Sequence, residues 1–319
     1  MRAVVADHPG APQVLHPVTL LDPDPDAGQV RVNVEVAAIT FVDTLIRAGS
    51  PVAPPVTFPV ILGNGVGGTV DQVGPDVDPT CIGTRVVTTT GGSCGYASLA
   101  IASTHDLHRV PDRLSLREAT ALLADGRTAV GLHQAASIES DETVVVTAAA
   151  GGVGSILVQL AKSSGARVIA LAGSRTKLDH ARALGADVTV NYRDADWPTR
   201  IQESAGDGVR VAFDGVGADT TNALFPLVRR GGRYLSHGAA GGSWGTIDEN
   251  AAAARGVTLI GLSAIGATGM FDLTERALDL AAHGVIRPTV GQTFPLDQAA
   301  DAHAAIEHRH TIGKTLLLP

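Results

Sequence analysis

The segment Thr143-Val144-Val145-Val146-Thr147-Ala148-Ala149-Ala150-Gly151-Gly152-Val153-Gly154 constrains this chain more than any other. Its unbroken β-branched run has no polar face to show to water, so it predicts a strand buried on both sides. Glycines follow, and beyond them Val153, Ile156, Leu157 and Leu160 have the spacing of one helix face. Aligned to the pattern G-x-G-x-x-G, Ala149 takes the first glycine position and Gly151 and Gly154 the second and third. Gly151 lets a pyrophosphate approach the backbone, and Gly154 lets the helix pack closely on the strand. The helix N-terminus turns amide donors and a partial positive charge towards the phosphates. A turn that merely joins strand to helix is the bland alternative. The strand–helix alternation around it argues instead for a nicotinamide dinucleotide and for an oxidoreductase.

That alternation runs from about Thr143 to Ser263, with strands expected at Thr143–Thr147, Arg167–Leu171, Val188–Val190, Val209–Phe213, Arg233–Leu235 and Val257–Leu262. Runs that are apolar throughout suit a doubly wound parallel sheet with helices on both faces. In such a fold an Asp or Glu about 20 residues after the glycines holds the ribose 2′-hydroxyl of NAD. Here the second strand leads instead into Ala172-Gly173-Ser174-Arg175-Thr176-Lys177. A small residue, a hydroxyl and cations suit a 2′-phosphate, so NADPH is the expected cofactor. Ser174 also reads as an N-cap and Lys177 as a surface residue.

Before this region the grammar differs. Gln29-Val30-Arg31-Val32-Asn33-Val34-Glu35-Val36 alternates as a half-buried strand, and Gly67 to Val73 and Thr84 to Thr89 are further short strands between Gly, Pro and Asp turns. An irregular β barrel is expected there. Ser115 and Glu118 form a capping-box pattern before a helical run. The chain of 319 residues exceeds what one core usually supports. We therefore expect a catalytic domain over residues 1–123 and 264–319 and a dinucleotide domain over 124–263. The tail supplies helix-like Phe271 to His283 and Leu296 to Ile306 and a last strand, Lys314 to Leu318.

Acids and bases are scattered through a chain of net charge -8, with no basic run to track nucleic acid. No stretch reaches membrane-spanning length without charge, and no signal-peptide segment opens the chain, so a cytoplasmic protein is expected. Cys81 and Cys94 are too few for a cysteine-rich zinc lobe and read as reduced thiols.

Ile39-Thr40-Phe41-Val42-Asp43-Thr44-Leu45-Ile46-Arg47-Ala48-Gly49, Gly63 to Val70, Gly126-Arg127-Thr128-Ala129, Ala148 to Gly154 and Leu184-Gly185-Ala186-Asp187 span most of the chain. Together they make it resemble the medium-chain dehydrogenase/reductase superfamily, in particular the zinc-free quinone oxidoreductase branch that includes zeta-crystallin. The resemblance implies an α/β protein with a GroES-like β-barrel catalytic domain, a Rossmann domain, a cleft between them for the nicotinamide, and a homodimer. It implies dinucleotide contacts at Ala150, Gly151, Gly152, Val153, Gly154 and Gly238. It also implies 2′-phosphate contacts at Gly173, Ser174, Lys177 and Tyr192, assistance from Lys314, and Thr128 beside the nicotinamide.

The zinc-dependent branch has a Cys after the second long strand and a His-Glu pair before the glycine-rich strand. This chain reads Thr40-Phe41-Val42-Asp43 and Leu62-Gly63-Asn64-Gly65 in those places, so no metal ligand set is expected. It also carries Thr40 where quinone oxidoreductases commonly carry Asn. Without a Lewis acid the acceptor carbon must already be electrophilic, as in a quinone or an α,β-unsaturated carbonyl. The oxyanion formed on hydride addition needs donors, and Thr40, Arg47 and Asn64 are the candidates. Each has a plainer reading: Thr40 and Asp43 as a capping box, Arg47 as a surface cation, and Asn64 as a turn residue. His237, at a sheet edge, reads more as packing than as chemistry, and His303 and His308 read as a solvated helix face. Enoyl reduction of biosynthetic thioesters and a non-catalytic, NADPH-binding structural role are the competing functions.

Overall fold

The computed structural model describes residues 1–266 and 269–319. The chain forms two compact units, one of Met1–Ala124, Ala277–Ala282 and Pro288–Pro319, the other of Asp125–Arg276 and His283–Arg287.

The first unit is largely antiparallel β structure. It contains β1 (Arg2–Ala6), β2 (Leu15–Thr19), β3 (Gln29–Ile39), the helix α1 (Phe41–Ala48), β4 (Val60–Ile61), β5 (Gly65–Val73), β6 (Arg85–Thr89), β7 (Leu99–Ser103) and β8 (His108–Arg109). Helix α2 (Leu116–Ala136) then carries the chain out of it. The expected alternation is realised in β3, where Val30, Val32, Val34 and Val36 are buried. Once a period-two apolar face has a core to meet, the strand register is set. β3 pairs with β5 and β7, while β2-β1-β4 forms a separate three-stranded sheet. The Ser115–Glu118 capping box is present, with the Ser115 amide donating to Glu118 Oε2 at 2.9 Å and the Glu118 amide to Ser115 Oγ at 3.2 Å.

The second unit alternates β9 (Thr143–Val146), α3 (Gly152–Ser163), β10 (Arg167–Ala172), α4 (Arg175–Ala183), β11 (Val188–Asn191), α5 (Trp197–Ser204), β12 (Val209–Asp214), α6 (Ala218–Leu224), β13 (Val228–Ser236), α7 (Glu249–Arg255), β14 (Thr258–Ile260) and α8 (Ser263–Gly266). Its six-stranded parallel sheet has the order β11-β10-β9-β12-β13-β14. The order reverses at β9, so the glycine turn lies at the switch point where ligands of doubly wound sheets bind. Each expected strand is present. β13 begins earlier than Arg233 because Val228 pairs with Val209, after which the register shifts before pairing resumes at Arg233 with Val211, and β14 is shorter than Val257–Leu262.

The remaining elements are α9 (Met270–Ala282), β15 (Val290–Pro295), α10 (Ala299–Glu307) and β16 (Lys314–Leu318). Of the tail from 264 onward, expected with the first unit, the described residues up to Arg276 group with the second. The reason is packing on α2: a Cβ at Gly131 would lie 2.5 Å from Ile265 Cγ2 and 3.1 Å from Leu273 Cδ1. Only a glycine lets those side chains sit so near the helix axis. From Pro288 the chain rejoins the first unit, where β15-β16-β3 extends the larger sheet.

Candidate functional site

In the second unit the turn after β9 is built from close approaches. Ala148 stands in the left-handed region with φ of 47°, which costs a non-glycine residue roughly 1–2 kcal/mol. This conformation aims its carbonyl into the turn, where it accepts from the Gly151 amide at 2.8 Å. A Cβ at Gly154 would lie 2.3 Å from that same oxygen, and one at Gly152 would lie 1.8 Å from Asp125 Oδ2. Gly151 caps α3 without a side-chain hydrogen bond, leaving the first-turn amides open. The Asp125 carboxylate at Gly152 puts a negative charge beside that helix end, the sign its dipole favours. Ala150 is buried and Val153 half-buried, while Thr128 is half-buried on α2.

The turn is anchored from beneath by Asp214, which sequence reasoning missed. This carboxylate is fully buried. Its Oδ1 accepts from Thr147 Oγ1 at 3.0 Å, the Val216 amide at 3.0 Å and the Gly217 amide at 3.1 Å. Its Oδ2 accepts from Thr221 Oγ1 at 2.6 Å and Tyr234 Oη at 2.7 Å. Burial pushes the pKa of Asp214 up, but the Thr221 and Tyr234 hydroxyls and the Gly217 and Val216 amides outweigh it and hold the group below the ordinary carboxylate range. The ends of β9, β12 and β13 are thereby tied together under the glycines. A single acid closing an apolar strand in Val209-Arg210-Val211-Ala212-Phe213-Asp214 was the available signal.

His237 packs against this hub, its Cε1 2.7 Å from where a Gly215 Cβ would lie. Burial lowers its pKa to about 4, so the ring is neutral, as the packing reading expects. At Gly238 a Cβ would fall 2.6 Å from the Gly215 carbonyl oxygen, so the β12 and β13 loops meet backbone to backbone.

At the end of β10, Ser174 caps α4 by accepting from the Lys177 amide at 3.4 Å. Tyr192 follows β11, paired in register alongside β10. A Cβ on Gly173 would lie 3.0 Å from Tyr192 Oη and 3.1 Å from Arg193 Nε. Arg175, the other expected cation, is held by Asp179 at 3.0 Å on a highly exposed face.

The candidates of the first unit fare differently. Thr40 and Asp43 form the capping box of α1. Asp43 Oδ2 accepts from the Thr40 amide at 2.6 Å and its hydroxyl at 2.7 Å, and Oδ1 from the Gly63 amide at 3.2 Å. The Thr40 proton is therefore committed. Burial raises the Asp43 pKa, opposed by the Thr40 donors, the positive charge of Lys314 and the Gly63 amide. Arg47, read as a substrate-facing or surface cation, is neither: it is buried and its guanidinium donates to the Gly10 carbonyl and to Glu307. Residues far apart in sequence supply those partners, which local pattern cannot reveal. Lys314, expected to assist the 2′-phosphate, is buried in β16, with its charge bearing on Asp43. Its ammonium is therefore not open to a phosphate.

His303 also departs from expectation. The inner face of α10 packs into the core with Ala299 and Ala302, so the ring is buried, with Nε2 2.9 Å from Tyr96 Oη. Burial, together with the Arg47 charge, lowers its pKa to about 3. Exposed His308 is where it was expected. Asn64 Oδ1 accepts from the Gly92 amide at 2.6 Å and the Thr90 amide at 3.2 Å, pinning that loop. Its Nδ2 is an uncommitted donor that is not buried, whereas the Thr40 proton is held by Asp43 and Arg47, with its Nε unpartnered, is buried. Phe41 and Val42 expose apolar surface on the first turn of α1. Among the described residues no cluster of His, Cys, Asp and Glu is grouped to hold a metal, and no helix is long and apolar enough to cross a membrane.

Comparison with known proteins agrees with this architecture. Residues 26–112 match the alcohol dehydrogenase GroES-like domain and residues 152–283 the zinc-binding dehydrogenase domain. A quinone oxidoreductase of Salmonella typhimurium is 33% identical over 97% of both chains. The chain belongs to the medium-chain dehydrogenase/reductase superfamily, in its quinone oxidoreductase branch. A 2-haloacrylate reductase of a Burkholderia species is 32% identical over 92% of each chain. The Escherichia coli quinone oxidoreductase solved with NADPH is 31% identical, with a TM-score of 0.92 over 100% of both chains. This member of the branch is an oxidoreductase with a GroES-like unit and a Rossmann-type unit.

Proposed function

We propose that this oxidoreductase is an NADPH-dependent, zinc-independent reductase of quinones or α,β-unsaturated carbonyl compounds. The observation that carries the reading is the end of β10. Gly173, the Ser174 hydroxyl, Lys177 and Tyr192 gather there, at a strand end that carries no acid. A 2′-phosphate dianion fits such a donor set, whereas a ribose hydroxyl calls for a carboxylate. The amides of the first turn of α3, which Gly151 caps without a side chain, suit a diphosphate. Ala150, Val153 and Gly238 are assigned to this path and Thr128 to the nicotinamide end. The Escherichia coli relative solved with NADPH supports the same cofactor.

When bound, the dinucleotide supplies hydride chemistry. The chain's own contribution begins with Asn64, whose free Nδ2 can donate to an oxygen that gains charge. Thr40, its proton held by Asp43, presents only lone pairs and orders the first turn of α1. Phe41 and Val42 offer an apolar wall suited to a flat, conjugated acceptor. Zinc independence rests on the donor chemistry at Thr40-Phe41-Val42-Asp43 and Leu62-Gly63-Asn64-Gly65, where thiolate and imidazole are missing. Relatives named for quinones and for 2-haloacrylate are consistent with activated acceptors.

We also propose a cytoplasmic homodimer. β14 is an edge of the six-stranded sheet, and Leu259 and Leu262 are exposed beside its unpaired backbone.

The test is NADPH oxidation by the purified protein with quinones, enones and enoyl thioesters, with and without a chelator. Turnover of quinones or enones that survives chelation is expected. Turnover of enoyl thioesters alone would reassign the enzyme to biosynthetic reduction, and tight NADPH binding without any turnover would make it a binding protein. The combined Lys177→Ala and Ser174→Ala changes should lower the preference for NADPH over NADH by at least about tenfold. An unchanged preference refutes the phosphate assignment.

A further inference from the structure

Arg193 lies in the turn after β11, one residue beyond Tyr192. Its amide donates to Asn191 Oδ1 at 3.1 Å, and Asn191 Nδ2 donates to Asp194 Oδ1 at 3.1 Å, so the turn is held by its own side chains. Asp194 is further engaged by Arg200 at 3.3 Å. The neighbouring acid is thus occupied, and the Arg193 guanidinium has no carboxylate or carbonyl partner among the described residues. The other arginines nearby do: Arg175 and Arg182 both pair with Asp179.

Where the guanidinium points is informative. Its Nε lies 3.1 Å from the position a Gly173 Cβ would take, and Tyr192 Oη lies 3.0 Å from the same point. Gly173 is the residue between β10 and the Ser174 cap of α4. Any side chain at position 173 would displace the arginine and the tyrosine together. An unpaired guanidinium is therefore folded over the glycine that opens the proposed phosphate site, beside a phenol.

We infer that Arg193 is an NADPH-selecting residue, whose guanidinium binds the 2′-phosphate of the adenosine ribose together with Ser174, Lys177 and Tyr192. This rests on the reading that the 2′-phosphate binds at the end of β10. A planar guanidinium suits a phosphate because parallel N–H donors match its oxygens, which an ammonium cannot reproduce. The site then carries Arg193 from the turn after β11 as well as Lys177 from α4. The adjacency of parallel strands brings these together across a stretch of sequence that no short motif spans.

The experiment measures dissociation constants for NADPH and NADH by nucleotide fluorescence in the whole protein, with Arg193→Ala, Arg193→Lys and Lys177→Ala. The side chain is exposed, so the variants should fold as the parent does. Arg193→Ala should weaken NADPH about tenfold and leave NADH within about twofold, with Arg193→Lys in between. Competition by 2′-AMP should weaken in parallel, and competition by 5′-AMP should not. Equal weakening of both dinucleotides would mean that the guanidinium stacks on the adenine, and the inference fails. If Lys177→Ala lowers the NADPH preference and Arg193→Ala does not, the site stands and Arg193 has no part in it. If the parent protein itself does not prefer NADPH, the reading of the site fails, and this inference with it.

Discussion

Asp214 and Asp43 are both buried carboxylates beside candidate site residues, yet burial has opposite outcomes for them. Asp214 accepts from Thr147, Val216, Gly217, Thr221 and Tyr234 and is held below the ordinary carboxylate range. Asp43 accepts from Thr40 and Gly63 and is pushed above it. The number and directness of donors, not depth, decides whether a buried acid is comfortable as an anion. The contrast extends to their surroundings. The Asp214 carboxylate is saturated although His237 Nε2 beside it has no partner, while the cluster around Asp43 leaves both Arg47 Nε and His303 Nδ1 without partners. Each unit therefore holds its site residues by a different means: the second with a rigid anionic pin under the glycine turn, the first with a network of buried charges.

The largest expected effect comes from unpinning the turn. Asp214→Asn replaces a saturated acceptor with a group that must donate towards hydroxyls and amides already donating. Unfolding of the cofactor-free protein in denaturant should show a loss of about 3 kcal/mol or more, with dinucleotide affinity falling as well. A loss below about 1 kcal/mol would mean that the hub does not carry the turn.

Arg47→Met should cost less, about 2 kcal/mol, because Glu307 is partly exposed and can be rehydrated when its partner leaves. Dinucleotide affinity and turnover of the folded protein should persist. A hundredfold fall in kcat at unchanged stability would return Arg47 to the reacting centre and break the assignment made above.

The smallest effect is a pH slope. With its pKa lowered from 6.5 to about 3, His303 is neutral in the folded protein while the unfolded chain takes up a proton below about pH 6.5. Its contribution is fully present above pH 6.5 and is lost as pH falls through the interval down to about 3. Asp214 acts in the same direction at lower pH, since a lowered carboxylate loses its stabilisation as pH falls through its folded value. Asp43 acts oppositely: its raised pKa favours the protonated native form at low pH, and that advantage is lost as pH rises. Denaturation midpoints across this range should show His303→Gln flattening the slope by about one proton, or about 1.4 kcal/mol per pH unit at most. An unchanged slope would mean that the ring is solvated.

Much of the fold was legible because its signals are local. Thr143 to Gly154 contains strand, turn and helix in one run, and β3 displays its alternation within one strand. Ser115 with Glu118 and Thr40 with Asp43 announce helix starts, and both capping boxes are present. For Thr40 the plainer reading of the sequence also described where its proton goes. Arg47, Lys314 and His303 were misread for one shared reason. Each is polar and looks solvated in its own helix or strand, and only packing against segments far away in sequence encloses it.

The sequence by itself therefore determined the order of strands and helices, the glycine turn and the cationic end of the second parallel strand. All of these depend on residues within a few positions of one another, where steric and periodic rules act directly. Tertiary structure alone decided that Asp214 pins the turn, that Asn64 retains a free donor while the Thr40 proton is held and Arg47 is buried, and that Arg193 folds over Gly173. Those outcomes depend on which donors meet which acceptors once strands lie side by side, and chain order does not encode that proximity.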